Sequence, residues 1–209
     1  MEIQYNRKMS SLFIISAPSG AGKTSLIKAL LQTNVNLSLS ISHTTRQPRA
    51  NEVNGQDYFF VSREIFQQML KQGEFLESAE VYGNLYGTSQ HWVTETMASG
   101  QDVLMEIDCQ GAQQVRQAFP QAVSIFILPP SLASLEARLK QRGQDDPEII
   151  ARRLKAAREE VSQVSKFDYV VINNELEEAL QDICCIIRAE RLKIMRQLAK
   201  RYALVAQFS

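Results

Sequence analysis

The chain has 209 residues, 44% apolar and 22% charged, with Lys+Arg and Asp+Glu balanced at 23 each. That is the composition of a folded globular domain with one substantial core, and it disfavours both disorder and a broad basic face for nucleic acid. No apolar run approaches the roughly 20 residues that span a bilayer, and no signal-like segment precedes the first strand pattern. The three cysteines, Cys109, Cys184 and Cys185, lack metal or disulfide spacing, which predicts free thiols in a cytoplasmic protein with no membrane or nucleic-acid partner.

Strand-like and helix-like runs alternate along the chain. "SLFIIS" (11–16) is a short apolar strand, and "TSLIKALLQ" (24–32) has helical spacing. "LSLSIS" (37–42) alternates with period two, and "YFFV" (58–61) is a second short strand. Ser62 can then cap a helix over 63–73. "EFLESAEVYGNLYGTS" (74–89) predicts two strands around a Gly83-Asn84 turn, followed by a helix that Gly100 ends. "DVLMEID", "AVSIFIL" and "DYVVIN" read as buried strands, each followed by helical pattern.

Asn174 and Glu177 resemble a capping box, and Asp146-Pro147 opens a charged helix to about Val164. The tail, 188–209, predicts an amphipathic helix with Leu192, Met195, Leu198 and Ala199 on one stripe. That stripe is a candidate surface for the core or for a homo-oligomer. The alternation predicts an α/β three-layer sandwich with a mostly parallel central sheet. The 42–92 region interrupts it with polar strands and turns, as an inserted subdomain would.

"APSGAGKT" (17–24) follows a strand, precedes a helix and carries x4-Gly-Lys-Thr, the requirement for a phosphate-binding loop. The expected ATP contacts run through Ala17, Pro18, Ser19, Gly20, Ala21, Gly22, Lys23 and Thr24. Backbone N–H groups wrap the polyphosphate, Lys23 reaches the β- and γ-phosphates, and Thr24 holds Mg²⁺. Ala17 stands where the strict motif has glycine. The loop alone leaves GTPase, ATPase and kinase open, but no Asn-Lys-x-Asp motif is present. In "SHTTRQPRANEVNGQDYFFV", Arg46 and Arg49 have no evident acidic partner, and with Tyr58 they suit a phosphate monoester.

That segment, with "GEFLESAEVYGNLYGTS", "EIDCQGAQQVR", "FILPPS", "RLKQRGQD" and "VIN", resembles the guanylate kinases over roughly residues 11–190, in order and with similar spacing. The resemblance implies a nucleoside monophosphate kinase that transfers the γ-phosphoryl group of ATP to GMP or dGMP with Mg²⁺. It also implies a core (1–41, 93–137 and 165–209), a GMP-binding part (42–92) and a lid (138–164).

By position it places Arg46, Arg49, Tyr58 and Tyr86 on the GMP phosphate and Ser42, Glu77 and Thr88 on guanine, with Asp108 nearby. Asn173 falls on the ATP side, and Arg138, Arg142 and Arg153 fall around the transferred phosphate. Glu106 stands where relatives usually have Asp; with Asp108 it is a candidate to hold Mg²⁺ through water. Relatives also usually carry glycine where Asn51 stands, and Asn tolerates a positive φ better than most residues. The chemistry of Glu77 supports its placement independently, because guanine N1–H and the 2-amino group can both donate to one carboxylate, whereas adenine N1 cannot. Arg152 and Arg188–Arg201 read as solvated helix charges. Two alternatives remain at this level: an inactive interaction module of the same fold, and a kinase for another phosphorylated acceptor such as a sugar phosphate.

Overall fold

In the computed structural model, which describes residues 10–33, 36–141, 147–205 and 207, β1 (Leu12–Ser16) is the middle strand of a five-stranded sheet. Its neighbours are β7 (Asp102–Glu106) and β8 (Val123–Leu128), flanked by β2 (Leu37–Leu39) and β9 (Tyr169–Ile172); every pairing is parallel. A central parallel strand is covered on both faces, so all five β1 residues are buried. Phe13 and Ile15 point to one face, packing with Leu26, Ile27 and Leu30 of α1 (Lys23–Gln32) and Ile183 and Ile187 of α7 (Leu176–Arg191). Leu12 and Ile14 point to the other, toward Val93 of α3 (Gln90–Ser99) and Ala112 and Val115 of α4 (Cys109–Ala118). Each such aliphatic side chain contributes about 1.5–3 kcal/mol of burial. This is the predicted three-layer α/β sandwich.

The segment that interrupts the alternation supplies β3 (His43–Thr44), β4 (Phe59–Phe60), β5 (Phe75–Val81) and β6 (Asn84–Ser89). They form a separate four-stranded sheet in the order β4-β3-β6-β5. Ser62 caps α2 (Arg63–Lys71) by accepting from the Ile65 N–H, as predicted. A smaller apolar cluster of Leu135, Leu139 and Ala157 joins α5 (Leu132–Gln141) to α6 (Pro147–Val161). Among the described residues no helix is long and apolar enough to cross a membrane.

Several local expectations are corrected. The β5–β6 turn is Tyr82-Gly83, with φ of 49° and 79°, one residue earlier than the Gly83-Asn84 reading. A two-residue hairpin of this hand needs positive φ at both central positions, and here a tyrosine accepts it. The run at 37–42 is a strand only to Leu39, although Ser40 N–H still donates to Leu104 O. β9 is an edge strand, not a fully buried one: Val170 and Ile172 are 51% and 47% exposed.

No capping box forms at Asn174, because α7 begins at Leu176 with Glu175 before it and no side-chain cap. Asn51 is not at positive φ, so the turn there makes no demand for glycine. The tail is not one helix, since α7 ends at Arg191 and α8 (Ile194–Val205) starts afresh; Leu192 and Met195 are exposed. Two of its arginines are not solvated. Arg191 donates to buried Asp102 at 2.7 Å, and buried Arg196 bonds Ser11, tying the tail to the start of the central sheet. Arg142 and Asp146 lie outside the described residues.

Candidate active site

The loop after β1 sits at the C-terminal end of the parallel sheet, where α/β folds leave a crevice. Gly20 and Gly22 lie at φ 95° and 90°, the left-handed region that a Cβ disfavours. Ala21 N–H closes a tight turn on Pro18 O at 3.0 Å. No side chain caps α1, so the N–H groups of its first turn face the crevice with the helix's positive end behind them. Lys23 Nζ donates to Ile107 O at 3.4 Å and stands 3.9 Å from Glu106 Oε1. Thr24 Oγ1 donates to the same Glu106 oxygen at 3.2 Å. A hydroxyl beside a carboxylate is an oxygen donor set suited to a hard divalent cation.

The back of this loop is braced from the far edge of the sheet. Asn173 Nδ2 donates to Ala21 O at 2.7 Å, and Arg138 donates to Asn173 O at 2.9 Å and to Ala21 O at 3.4 Å. A Cβ on Gly22 would meet Asn173 Nδ2 at 2.3 Å, so glycine permits this close packing.

Across the crevice, Glu77 and Thr88 are partners in the β5–β6 ladder. Thr88 Oγ1 donates to Glu77 Oε1 at 2.7 Å and lies 3.1 Å from Ser42 Oγ. All three residues are buried, Glu77 to 4% exposure. Burial pushes the Glu77 carboxyl up to about 7; the Thr88 hydrogen bond opposes this and the Asp108 charge adds to it. Gly111 of α4 makes room for it, since a Cβ there would lie 2.5 Å from Glu77 Oε2. Asp108 caps α4, its Oδ1 accepting from Gly111 N–H at 2.8 Å.

Arg46 does have an acidic partner. Its Nη2 donates to Glu52 Oε1 at 2.8 Å and its Nη1 to Gln47 O at 2.8 Å, and Glu52 Oε2 accepts from Arg49 N–H at 2.8 Å. The hydrogen bond to Glu52 is the main cause that raises the Arg46 pKa above its ordinary value. The guanidinium lies 5.4 Å from the Tyr58 ring centroid, and Tyr58 meets Tyr86 edge-on at 5.9 Å. Burial is the main cause that pushes the Tyr58 phenol up to about 12, which keeps it a hydrogen-bond donor at neutral pH.

One cleft of about 270 Å³ joins the two halves. Ala17, Pro18, Ser19, Gly20, Gly22, Lys23 and Thr24 line one side; Ser42, Arg49, Tyr58, Glu77 and Tyr86 line the other, with Glu106, Asp108 and Arg153 between. Five residues named from the sequence do not reach its wall. Ala21, Asn173 and Arg138 stand behind the loop, Thr88 behind Glu77, and Arg46 is held by Glu52. Three residues that matter were missed. Glu52 was discoverable, being three residues from Arg49. Tyr82 and Glu160 also line the cleft, and nothing local in the sequence marks either one.

The guanylate kinase family model matches residues 9–190. A guanylate kinase of Nitrosomonas europaea is 64% identical over 96% of this chain and 100% of its own length. One of Escherichia coli (strain K12) is 51% identical over 94% of this chain and 96% of its own. The crystal structure of guanylate kinase from Anaplasma phagocytophilum superposes with a TM-score of 0.79 at 34% identity, covering 98% of both chains.

Proposed function

The chain belongs to the guanylate kinase family, and we propose from that premise that the cleft between its two sheets is where it transfers the γ-phosphoryl group of ATP to GMP, giving ADP and GDP. The observation that carries this assignment is the buried Ser42–Thr88–Glu77 hydrogen-bonded chain facing a phosphate loop across one cleft. Glu77 accepts from guanine N1–H and the 2-amino group, with Thr88 and Ser42 fixing its carboxylate. Adenine, with an acceptor at N1 and no amino group at C2, would leave the buried carboxylate without a donor from the base and would be rejected. Arg46, Arg49, Tyr58 and Tyr86 hold the acceptor phosphate, with Asp108 at the edge of the site.

The donor phosphates lie on the 17–24 loop with Lys23. Thr24 would hold Mg²⁺, with Glu106, which accepts from the Thr24 hydroxyl, and Asp108 as the nearby carboxylates that would act through its waters. Among the described residues no three acidic, His or Cys side chains gather as a metal cage, which suits an ion that keeps its waters and substrate phosphates. When bound, Mg²⁺ neutralises charge on the donor phosphates.

No general base is required, because a phosphate monoester with second pKa near 6 is already largely dianionic at neutral pH. The barrier is repulsion between two anions, and this chain's cations offset it from three sides: Arg49 on the acceptor, joined by Arg46 as the cleft closes, Lys23 on the donor, and Arg153 at the transferred group, with Arg138 behind the loop. Arg138 also keeps the loop's shape through Asn173. Residues 42–92 and α6 close over the core to exclude water, which would otherwise hydrolyse ATP. This reading carries a cytoplasmic location, Mg²⁺ dependence and acceptance of dGMP. A coupled ADP-release assay with GMP, dGMP, AMP, CMP and UMP tests it. Release that depends on GMP and dGMP alone is expected; release with no nucleotide preference would defeat the assignment.

A further inference from the structure

Tyr82 stands where the β5–β6 turn is least hospitable to it. The first position of a two-residue turn of this hand favours asparagine, aspartate or glycine, and Tyr82 sits there at φ 49° with Gly83 after it. The ladder pair that closes the turn, Val81 with Asn84, is made by the backbone and does not need the ring. A bulky side chain kept at a strained backbone position points to a use outside the turn.

The ring reaches across the mouth of the cleft. Arg152 Cζ of α6 lies 5.8 Å from its centroid, within range of a cation–π contact. Arg152 reads from the sequence as a solvated charge, and it is exposed, yet its guanidinium lies against this ring. Tyr82 and Arg153 both line the cleft. The contact therefore joins the sheet that carries Glu77 and Tyr86 to the helix that carries Arg153.

α6 has use for such a fixed point. Its apolar stripe, Ile150, Leu154 and Ala157, rests on Leu135 and Leu139 of α5, a small cluster apart from the two that cover the central sheet. That stripe decides which face of α6 is buried, but a helix held along one line can still roll and slide. Consecutive helical residues point about 100° apart, so Arg152 on the hairpin tip sets how its neighbour Arg153 faces the cleft.

We propose that Tyr82 is a positioning residue for phosphoryl transfer: its ring takes the Arg152 guanidinium across the cleft and so holds α6 with Arg153 aimed at the transferred group. This rests on the functional reading above. Tyr82 acts through the helix and not on the nucleotides, so the rate of transfer should respond to it while the KM values should not.

Tyr82→Asn removes the ring and gives the turn a residue it prefers, so the fold should not suffer. In a single-turnover quench with saturating MgATP and GMP, transfer should slow about three- to fivefold. KM for each nucleotide should stay within about twofold, and the urea midpoint should be unchanged or raised. Tyr82→Phe keeps the ring and should transfer at the unmodified rate. Arg152→Gln should slow transfer as much as Tyr82→Asn does, and the double variant should lose no more than either alone. A raised KM for GMP with transfer unchanged would make the ring a nucleotide contact, and a lowered urea midpoint would make it part of the fold. Additive losses in the double variant would mean that the two residues act apart; each of these results overturns the proposal. Absence of GMP-dependent transfer in the unmodified protein defeats the functional reading, whereas transfer at an unchanged rate in Tyr82→Asn defeats the positioning role alone.

Discussion

Arg46 Nη2 donates to Glu52 Oε1 at 2.8 Å, while the other oxygen of the same carboxylate takes the Arg49 N–H. One acid thus fastens both arginines of the acceptor segment. Removing its charge has two opposed effects on GMP. The guanidinium gains net positive potential but regains rotamer freedom worth up to about 2 kcal/mol. Both side chains of the pair are mostly buried, at 17% and 15% exposure, so orientation should win. Glu52→Gln is expected to raise KM for GMP by about fivefold with KM for ATP unchanged, and to cost about 1–2 kcal/mol of stability in urea denaturation. A lowered KM for GMP would show that the pair restrains the arginine and does not aim it.

Glu77 yields a pH prediction with a definite sign. Its folded carboxyl titrates near 7 against an ordinary 4.5, mainly because it is buried. Between those values the folded protein holds a proton that the unfolded chain has released, so stability should fall as pH rises through that window, by on the order of 3 kcal/mol. Glu77→Gln removes the slope. Urea midpoints at pH 5 and pH 7.5 should therefore diverge between variant and wild type, with the variant favoured at pH 7.5. Function moves the opposite way: the amide can accept less and presents an N–H₂ to guanine's own donors, which should cut kcat/KM for GMP by about a hundredfold. Equal loss of GMP and ATP binding would refute the base-reading role.

Which of these features the sequence shows depends on the distance over which each is built. The phosphate loop is contained in eight consecutive residues between a strand and a helix, and its positive-φ glycines follow from local sterics. The parallel sheet was legible because burial on both faces leaves near-continuous apolar runs. Glu52 is local too, three residues from Arg49, but its stronger bond is to Arg46, six residues back, a pairing that only the turn between them creates. By contrast, Glu160 lines the same cleft as Ser19 although most of the chain separates them, and the Arg196–Ser11 bond spans 185 positions. No periodicity records such contacts. β9 reads as apolar as β8, and only strand order makes it an edge. The tail arginines looked solvated because Asp102, the carboxylate that Arg191 meets, is set in place by β7.

Lys23→Ala separates chemistry from folding. The ammonium's contacts are long, 3.4 Å to Ile107 O and 3.9 Å to Glu106, so the fold loses little when they go. Turnover should drop by about a thousandfold or more, because a preorganised cation on the developing charge is removed. The melting temperature of the nucleotide-free protein should move by no more than about 2 °C. Near-normal turnover in a folded variant would move the donor site elsewhere.

Gly111 offers the cleanest test of how the guanine side is supported. It sits in the first turn of α4, directly under the Glu77 carboxylate, and its N–H is the one that Asp108 caps. A methyl group there would stand 2.5 Å from Glu77 Oε2 and 3.1 Å from its Cδ, closer than contact allows. The backbone at Gly111 is helical, so alanine brings no conformational strain of its own and the clash is the whole effect. The carboxylate is held on its other side by Thr88, so it can move only by giving up that bond or by tilting into the cleft. Gly111→Ala should raise KM for GMP by at least about tenfold, the effect of losing one hydrogen bond to a charged group. ATP affinity should be unchanged, since the phosphate loop is untouched. If GMP kinetics survive, Glu77 has room that this packing does not show, and its contact with Thr88 is not what positions it for the base.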